Sequence, residues 1–322
     1  MNVIRSSRPL SWRCRLLNGV LRAFVKPKLA RGMSPAWTRR WLSPSRGPWV
    51  RIPRGLDARA ESAGGVPGEW LEHQRSSAEA DRVIYYLHGG GYVWGHPRMY
   101  RPLNAALALG TGARVFCPEY RLAPEHPLPA ARDDALAGYR WLLSRGVPSS
   151  RMIVAGESAG GGLTLTLLLA LRDAGVPLPA GAVALSPWTD LACTGESLAA
   201  NDRSCAMLAA AAIRSAAKLA LGNLDPTDPG ASPLYGDFHG LPPLLVLVSE
   251  DETLRDDALR VAERAGAHGV DVTLRIARGV PHAWPYYQGI IPEAREAART
   301  MTAFMRECWV RAESASPASS LR

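Results

Sequence analysis

The chain has 322 residues, 47% of them apolar and 21% charged, a composition that excludes a disordered or fibrous polymer and is ample for a large buried core. The net charge of +9 sits at one end: residues 1–56 hold 13 Lys and Arg and no acid, so the remainder carries 38 − 13 = 25 bases against 29 acids, or −4. A body of that sign repels phosphates, so no nucleic acid is expected as a partner.

The first stretch, RSSRPLSWRCRLLNGVLRAFVKPKLARG, mixes Arg with Trp, Leu, Phe and Val. It lacks the unbroken apolar core and small-residue cleavage site of a secretory signal. It reads as a basic helix that packs one apolar face onto the body, with weak contact to a membrane or lipid surface as the alternative. No run reaches the length of a membrane span; the best, Leu163 to Leu171, is short and interrupted by two Thr. Five scattered cysteines form no CxxC pair, so neither a disulfide framework nor a metal site is indicated, and a reducing cytoplasm is the expected compartment.

From about Asp81 short β-like runs alternate with helical ones, the pattern of a parallel sheet wrapped by helices. DRVIYYLHGGG is strand into loop, NAALALGTG a helix ended by Gly, and ARVFCPEY a strand. ARDDALAGYRWLLSRG is a helix with Asp133 and Asp134 in its first turn; RMIVAG is a strand and SAGGGLTLTLLLALRDAG a helix. AGAVALSPW, PPLLVLVSE and VDVTLRIARG are strands, the last two separated by the helix DDALRVAERAGAHG. Between about Trp188 and Asp228 the pattern breaks into helices alone, as in a lid over the carboxyl edge of the sheet, where open α/β sheets bind ligands. The expected organisation is a helical cap segment over 1–55, a core over 56–187, a helical cap insertion over 188–230, the rest of the core over 231–311, and a disordered tail over 312–322.

Ser158 lies in GESAG between a predicted strand and a predicted helix, the setting of a nucleophile elbow. Side chains at Gly156 or Gly160 would collide with the neighbouring strand and helix, and the helix N-terminus favours developing negative charge. His88-Gly89-Gly90-Gly91 follows an earlier strand, where glycines let backbone N–H groups converge on an oxyanion; His88 itself reads as a loop anchor. His282, in VPHAW after the final strand, stands where a base belongs in the order Ser, acid, His. The other histidines are scattered: His73 before the sheet, His96 and His126 in loops, His239 in a turn, His268 at a helix end. For the acid, Asp256 and Asp257 read as first-turn helix charges, which leaves Asp251 and Glu252.

The motifs HGGGYVWG, PEYRLAPEHPLPAARDDALAGYRWL, GESAG, LSPWTDL, SPLYGDFHGLPPLLVLVSEDETLRDD and VPHAWP, in this order, resemble the hormone-sensitive-lipase family of α/β-hydrolases, in its bacterial esterase branch, from roughly Asp81 to Glu307. The resemblance implies the α/β-hydrolase fold, a mostly parallel central sheet flanked by helices with a helical cap. It also implies Ser158 as nucleophile, His282 as base and oxyanion donors at Gly90, Gly91 and Ala159. Alignment on LRDD sets Glu252 where the family carries its acid, usually Asp, with Asp251 in reserve. Arg121 and Glu125 are expected to brace their loop by an ion pair, and Glu157 to bond the loop beside it. The implied activity is hydrolysis of short- to medium-chain acyl esters, lactones or acetylated small molecules through an acyl-enzyme, with no cofactor and no metal. The resemblance also raises a homodimer, although no interface is legible. The competing classes are a non-catalytic small-molecule receptor on the same fold, against which Ser158, a carboxylate and His282 together argue, and a membrane-associated lipase.

Overall fold

The structure, a computed structural model, describes residues 1–6, 8–31, 35, 39, 51–74 and 81–314. The run Val83–Leu87 is buried at every position, the signature of a strand covered on both faces rather than one with an inner and an outer side. It is the fourth of nine strands among the described residues: β1 (Asn2–Ser6), β2 (Leu56–Ala63), β3 (Val66–His73), β4 (Val83–Leu87), β5 (Arg114–Pro118), β6 (Met152–Glu157), β7 (Gly181–Leu185), β8 (Leu244–Ser249) and β9 (Val272–Ala277). Their spatial order is β1-β9-β8-β7-β6-β4-β5-β3-β2. Neighbours from β1 through β5 run parallel, and the β2–β3 hairpin closes the far edge antiparallel.

The helices are α1 (Trp12–Val20) and α2 (Lys26–Ala30), joined by a π-helical turn over Leu21–Val25, then α3 (Arg101–Thr111), α4 (Ala130–Ser144), α5 (Ala159–Asp173), α6 (Ser197–Ala200), α7 (Ala210–Leu221), α8 (Arg255–Ala267) and α9 (Pro292–Ser314). Alternate strand residues feed opposite layers. Ile84, Tyr86, Ile153, Ala155 and Val183 pack with α3 and α9 on one face. Val83, Tyr85, Leu87, Met152 and Val154 pack with α4 and α5 on the other. The helix α8 covers Ala182, Ala184, Val246 and Val248. This is the α/β-hydrolase fold, and the strands and helices read from the sequence after Asp81 are present in the order expected.

Three features differ from the sequence reading. The first segment is not wholly helical, because Asn2–Ser6 is a strand that pairs in parallel with β9. Its side chains are almost all exposed, so it carries no hydrophobic pattern, and β9 supplies its backbone partners. The sheet also begins before Asp81: Gly64 and Gly65, at φ 61° and 89°, form the two-residue turn of the β2–β3 hairpin, and His73 ends β3. At the other end α9 runs to Ser314, past the expected start of the tail at 312, and residues 315–322 lie outside the described residues. Residues 32–34, 36–38 and 40–50 of the first segment lie outside them as well. Between β7 and β8 the described chain has α6 and α7 and no strand; α7 turns Ile213, Ala217, Ala220 and Leu221 inward.

Candidate active site

Strand β6 ends at Glu157 and helix α5 starts at Ala159, so Ser158 is the turn between them. Its φ of 55° and ψ of −123° lie outside the ordinary L-residue basins, a conformation that costs of order 1–3 kcal/mol and is held only where surroundings over-determine it. Those surroundings are explicit. The Ser158 N–H donates to Leu185 O at 2.9 Å, and its carbonyl accepts from Trp188 N at 2.9 Å and Gly162 N at 3.0 Å. A Cβ on Gly160 would stand 2.0 Å from Leu87 O and 2.4 Å from His88 O; one on Gly156 would stand 2.2 Å from Gly160 O. The flanking glycines are therefore clearance, as the sequence reading requires. Of the five non-glycine residues with positive φ among those described, Tyr92, Ser158, Ser186 and Ala283 gather here, and Cys193 is the fifth.

His282 is 2% exposed and follows β9 in the loop that leads to α9. Its Nδ1 lies 2.5 Å from Glu252 Oε2. The other oxygen, Glu252 Oε1, accepts from Ser249 N at 2.8 Å and from the Ser186 hydroxyl at 2.8 Å. Ser186 Oγ in turn accepts from Ala283 N at 3.2 Å. The carboxylate is thus tied to the end of β8, the end of β7 and the histidine loop together. Asp251, the reserve acid, points elsewhere: its Oδ2 accepts from Gly279 N at 2.6 Å. Ser186 and Ser249 escaped the sequence reading. The signal that could have found Ser186 is the Ser-Pro that ends a buried strand in LSPW.

The loop after β4 carries Gly90 at φ 115° and Gly91 at φ 61°, and a Cβ on Gly90 would lie 1.9 Å from Trp94 O. Ala159 is the first residue of α5, one of the helix N–H groups without an intrahelical acceptor. His88 is fully buried: its Nδ1 lies 2.8 Å from Gly89 O, and its ring stacks on Tyr120 at 4.1 Å between centroids. Burial lowers its pKa to about 4, so it is neutral and acts as an anchor for the glycine loop. Glu157 is buried against the same loop, where a Cβ on Gly89 would meet its Oε1 at 2.0 Å. Burial raises its pKa, opposed by the charge of His282, the Tyr100 hydroxyl and the Gly89 N–H. Its Oε1 has no hydrogen-bond partner among the described residues, and the residue also lines the cavity beside Ser158.

Ser158, His282, Gly90, Gly91 and Glu157 line one cavity of about 350 Å³. Its walls are apolar: Trp94, Met99, Trp188 and Tyr286 from the body, Leu208, Ile213 and Leu219 from the helical segment between β7 and β8, and Leu21, Val25 and Leu29 from the N-terminal helices. One expectation needs correcting. Arg121 and Glu125 do not pair with each other: Arg121 donates to Asp134 at 2.7 Å, and Glu125 takes both guanidinium nitrogens of Arg39 at 2.9 Å. Four residues apart on a loop that is not helical, they face different neighbours, so the loop is tied to α4 and to the N-terminal segment. Asp256 and Asp257 stand in the first turn of α8 as expected, and Asp257, buried, also accepts from Thr189 N and Asp190 N at 2.8 and 2.9 Å, which holds the chain that follows β7. Two of the scattered histidines also meet, His239 and His268 with Asp237, on the surface before β8. Their ligand atoms already bond one another or the backbone: Asp237 Oδ1 lies 2.6 Å from His239 Nδ1, and His268 Nδ1 accepts from Phe238 N at 2.9 Å.

The pattern of the alpha/beta hydrolase fold matches residues 84–286. An acetyl-hydrolase of Streptomyces hygroscopicus is 43% identical over 245 residues, covering 76% of this chain and 81% of that protein. A crystal structure of an esterase from the bacterial hormone-sensitive lipase family superposes with a TM-score of 0.86 at 39% identity, over 94% of this chain and all of that one. The esterase EstE5, in a crystal soaked with p-nitrophenyl butyrate, superposes with a TM-score of 0.86 at 34% identity, over 93% of this chain and 99% of its own. The chain belongs to the α/β-hydrolase family, in its bacterial hormone-sensitive-lipase branch, and is a carboxylic ester hydrolase.

Proposed function

We propose that the chain is a serine esterase for short- to medium-chain acyl esters, acting through Ser158, His282 and Glu252. The observation that carries this is the buried His282–Glu252 pair at 2.5 Å, opening on the same apolar cavity as Ser158. With Nδ1 engaged by the carboxylate, Nε2 is the nitrogen left to take the Ser158 proton as Oγ attacks the ester carbonyl. Backbone N–H groups of Gly90, Gly91 and Ala159 receive the oxyanion, and each such donor contributes on the order of 100-fold or more in rate. Collapse of the tetrahedral adduct expels the alcohol, which takes the proton from His282. Water, deprotonated by the same nitrogen, then attacks the acyl-Ser158 and releases the acid. Glu252 orients the imidazole and steadies the imidazolium.

The small apolar cavity and the acetyl-hydrolase among the relatives favour short acyl groups, acetylated small molecules included. Labelling with a radioactive organophosphate tests the nucleophile: one label per chain, absent in Ser158→Ala, is expected. Folded protein that takes up no label overturns the reading. A p-nitrophenyl ester series tests the substrate range, and best activity beyond about C12 contradicts it.

A further inference from the structure

The N-terminal helices carry a second apolar surface, on the side away from the cavity. Trp12, Leu16, Val20 and Phe24 recur every fourth residue through α1 and the π turn, and they are 69%, 60%, 44% and 64% exposed. Residues at that spacing share a helix face. The inward face is filled separately: Cys14, Asn18 and Leu21 are buried, and Asn18 donates to Gly279 O at 2.7 Å. The outward row is therefore distinct from the face that the helix gives to the core. The helices are held firmly: Ser11 N donates to Glu293 at 2.6 Å, Arg22 to Ser204 O at 2.8 Å and Lys26 to Cys205 O at 2.9 Å.

Within the segment itself the charge is of one sign, and the acids that approach it from α9, Glu293 and Glu296, meet it at Ser11 and Arg8. Arg13, Arg15, Arg22 and Arg31 are exposed on the same helices, no acid occurs before Asp57, and the rest of the chain is net negative. The Arg13 guanidinium sits 5.5 Å over the Trp12 ring, a pairing of cation and aromatic suited to the headgroup level of a bilayer. A second copy of this chain would have to set these cations against each other. An anionic bilayer takes up both the apolar row and the arginines.

We propose that α1 and the π turn form a docking face for an anionic lipid surface, with Trp12, Leu16, Val20 and Phe24 dipping into the headgroup region. Leu21, Val25 and Leu29 of the same segment line the cavity that holds Ser158, so docking brings the cavity wall against the lipid. Delivery of ester substrate from the bilayer rests on the esterase reading above; the docking itself does not.

The test is co-sedimentation of the full chain with phosphatidylcholine vesicles, with and without phosphatidylglycerol. Anionic vesicles are expected to bind at least about 10-fold more protein than neutral ones, with the difference shrinking in high salt. The variant Trp12→Ser/Leu16→Ser/Phe24→Ser is expected to lose binding by about 10-fold or more, while Val310→Ser, at an exposed apolar position on α9, keeps it. Hydrolysis of a water-soluble p-nitrophenyl ester by the triple variant at the wild-type rate shows that it is folded. Equal recovery from both vesicle types, or undiminished binding by the triple variant, overturns the proposal. So does a dimer in light scattering that the same variant breaks while vesicles capture nothing.

Discussion

Replacing Ser186 with alanine removes one hydroxyl and opens two bonds: Glu252 Oε1 loses a donor at 2.8 Å, and Ala283 N loses its acceptor at 3.2 Å. Ser186 does not line the cavity; in the proposed mechanism it is a positioning residue that joins Glu252 to the loop carrying His282. A hydrogen bond to a charged group contributes about 1.5–3 kcal/mol. If that is expressed at the imidazolium stage, kcat falls by roughly 10- to 150-fold, at about 1.36 kcal/mol per tenfold. Ser249 N still holds Glu252 Oε1, so activity is not abolished. The measurement is kcat and KM for p-nitrophenyl butyrate across pH, with a parallel urea unfolding curve. The expected result is a fall in kcat at nearly unchanged KM, with the acidic limb of the pH profile displaced; Ser186→Thr, which keeps the hydroxyl, restores part of it. A Ser186→Ala variant that loses stability but keeps kcat and its pH profile refutes the reasoning.

The two candidate acids separate cleanly. Glu252→Gln is expected to lower kcat by about 10⁴-fold, as loss of the orienting carboxylate does elsewhere, while Asp251→Asn stays near wild type because its carboxylate serves Gly279 N. His88 gives a pH prediction. Its folded pKa of about 4 lies below the ordinary 6.5, so above pH 6.5 it contributes nothing to the pH dependence. As pH falls from 6.5 toward 4 the unfolded chain takes a proton that the folded chain refuses, and about 3 kcal/mol of stability is lost. Tm measured from pH 7 down to 4.5 is expected to fall more steeply for the wild type than for His88→Asn; parallel curves contradict this. Gly160→Ala forces a methyl within 2.0 Å of Leu87 O, backbone that cannot swing aside, and is expected to cost about 3 kcal/mol in urea unfolding. Gly19→Ala, in open space on α1, is expected to gain about 0.5–1 kcal/mol.

The sequence by itself determined the parallel core, because buried strands such as Val83–Leu87 and capped helices such as Arg101–Thr111, closed by Gly112 at φ 83°, announce themselves through local composition. It also determined the candidate chemistry, since Ser158 and the glycines beside it are required by backbone clearance that any neighbour would impose. It narrowed the acid only to Asp251 and Glu252, adjacent residues that resemblance alone ranked. Tertiary structure sets them apart in position: consecutive side chains leave the end of β8 in different directions, Glu252 meeting His282 and Asp251 meeting Gly279 N. The partners of Arg121, Glu125 and Asp257 were equally invisible, because an ion pair or a buried hydrogen bond is set by which loops the fold brings together. So was β1, an exposed strand without hydrophobic pattern that exists because β9 offers an open edge. Local conformation was written in residue type, while pairing across the sheet waited for the chain to close.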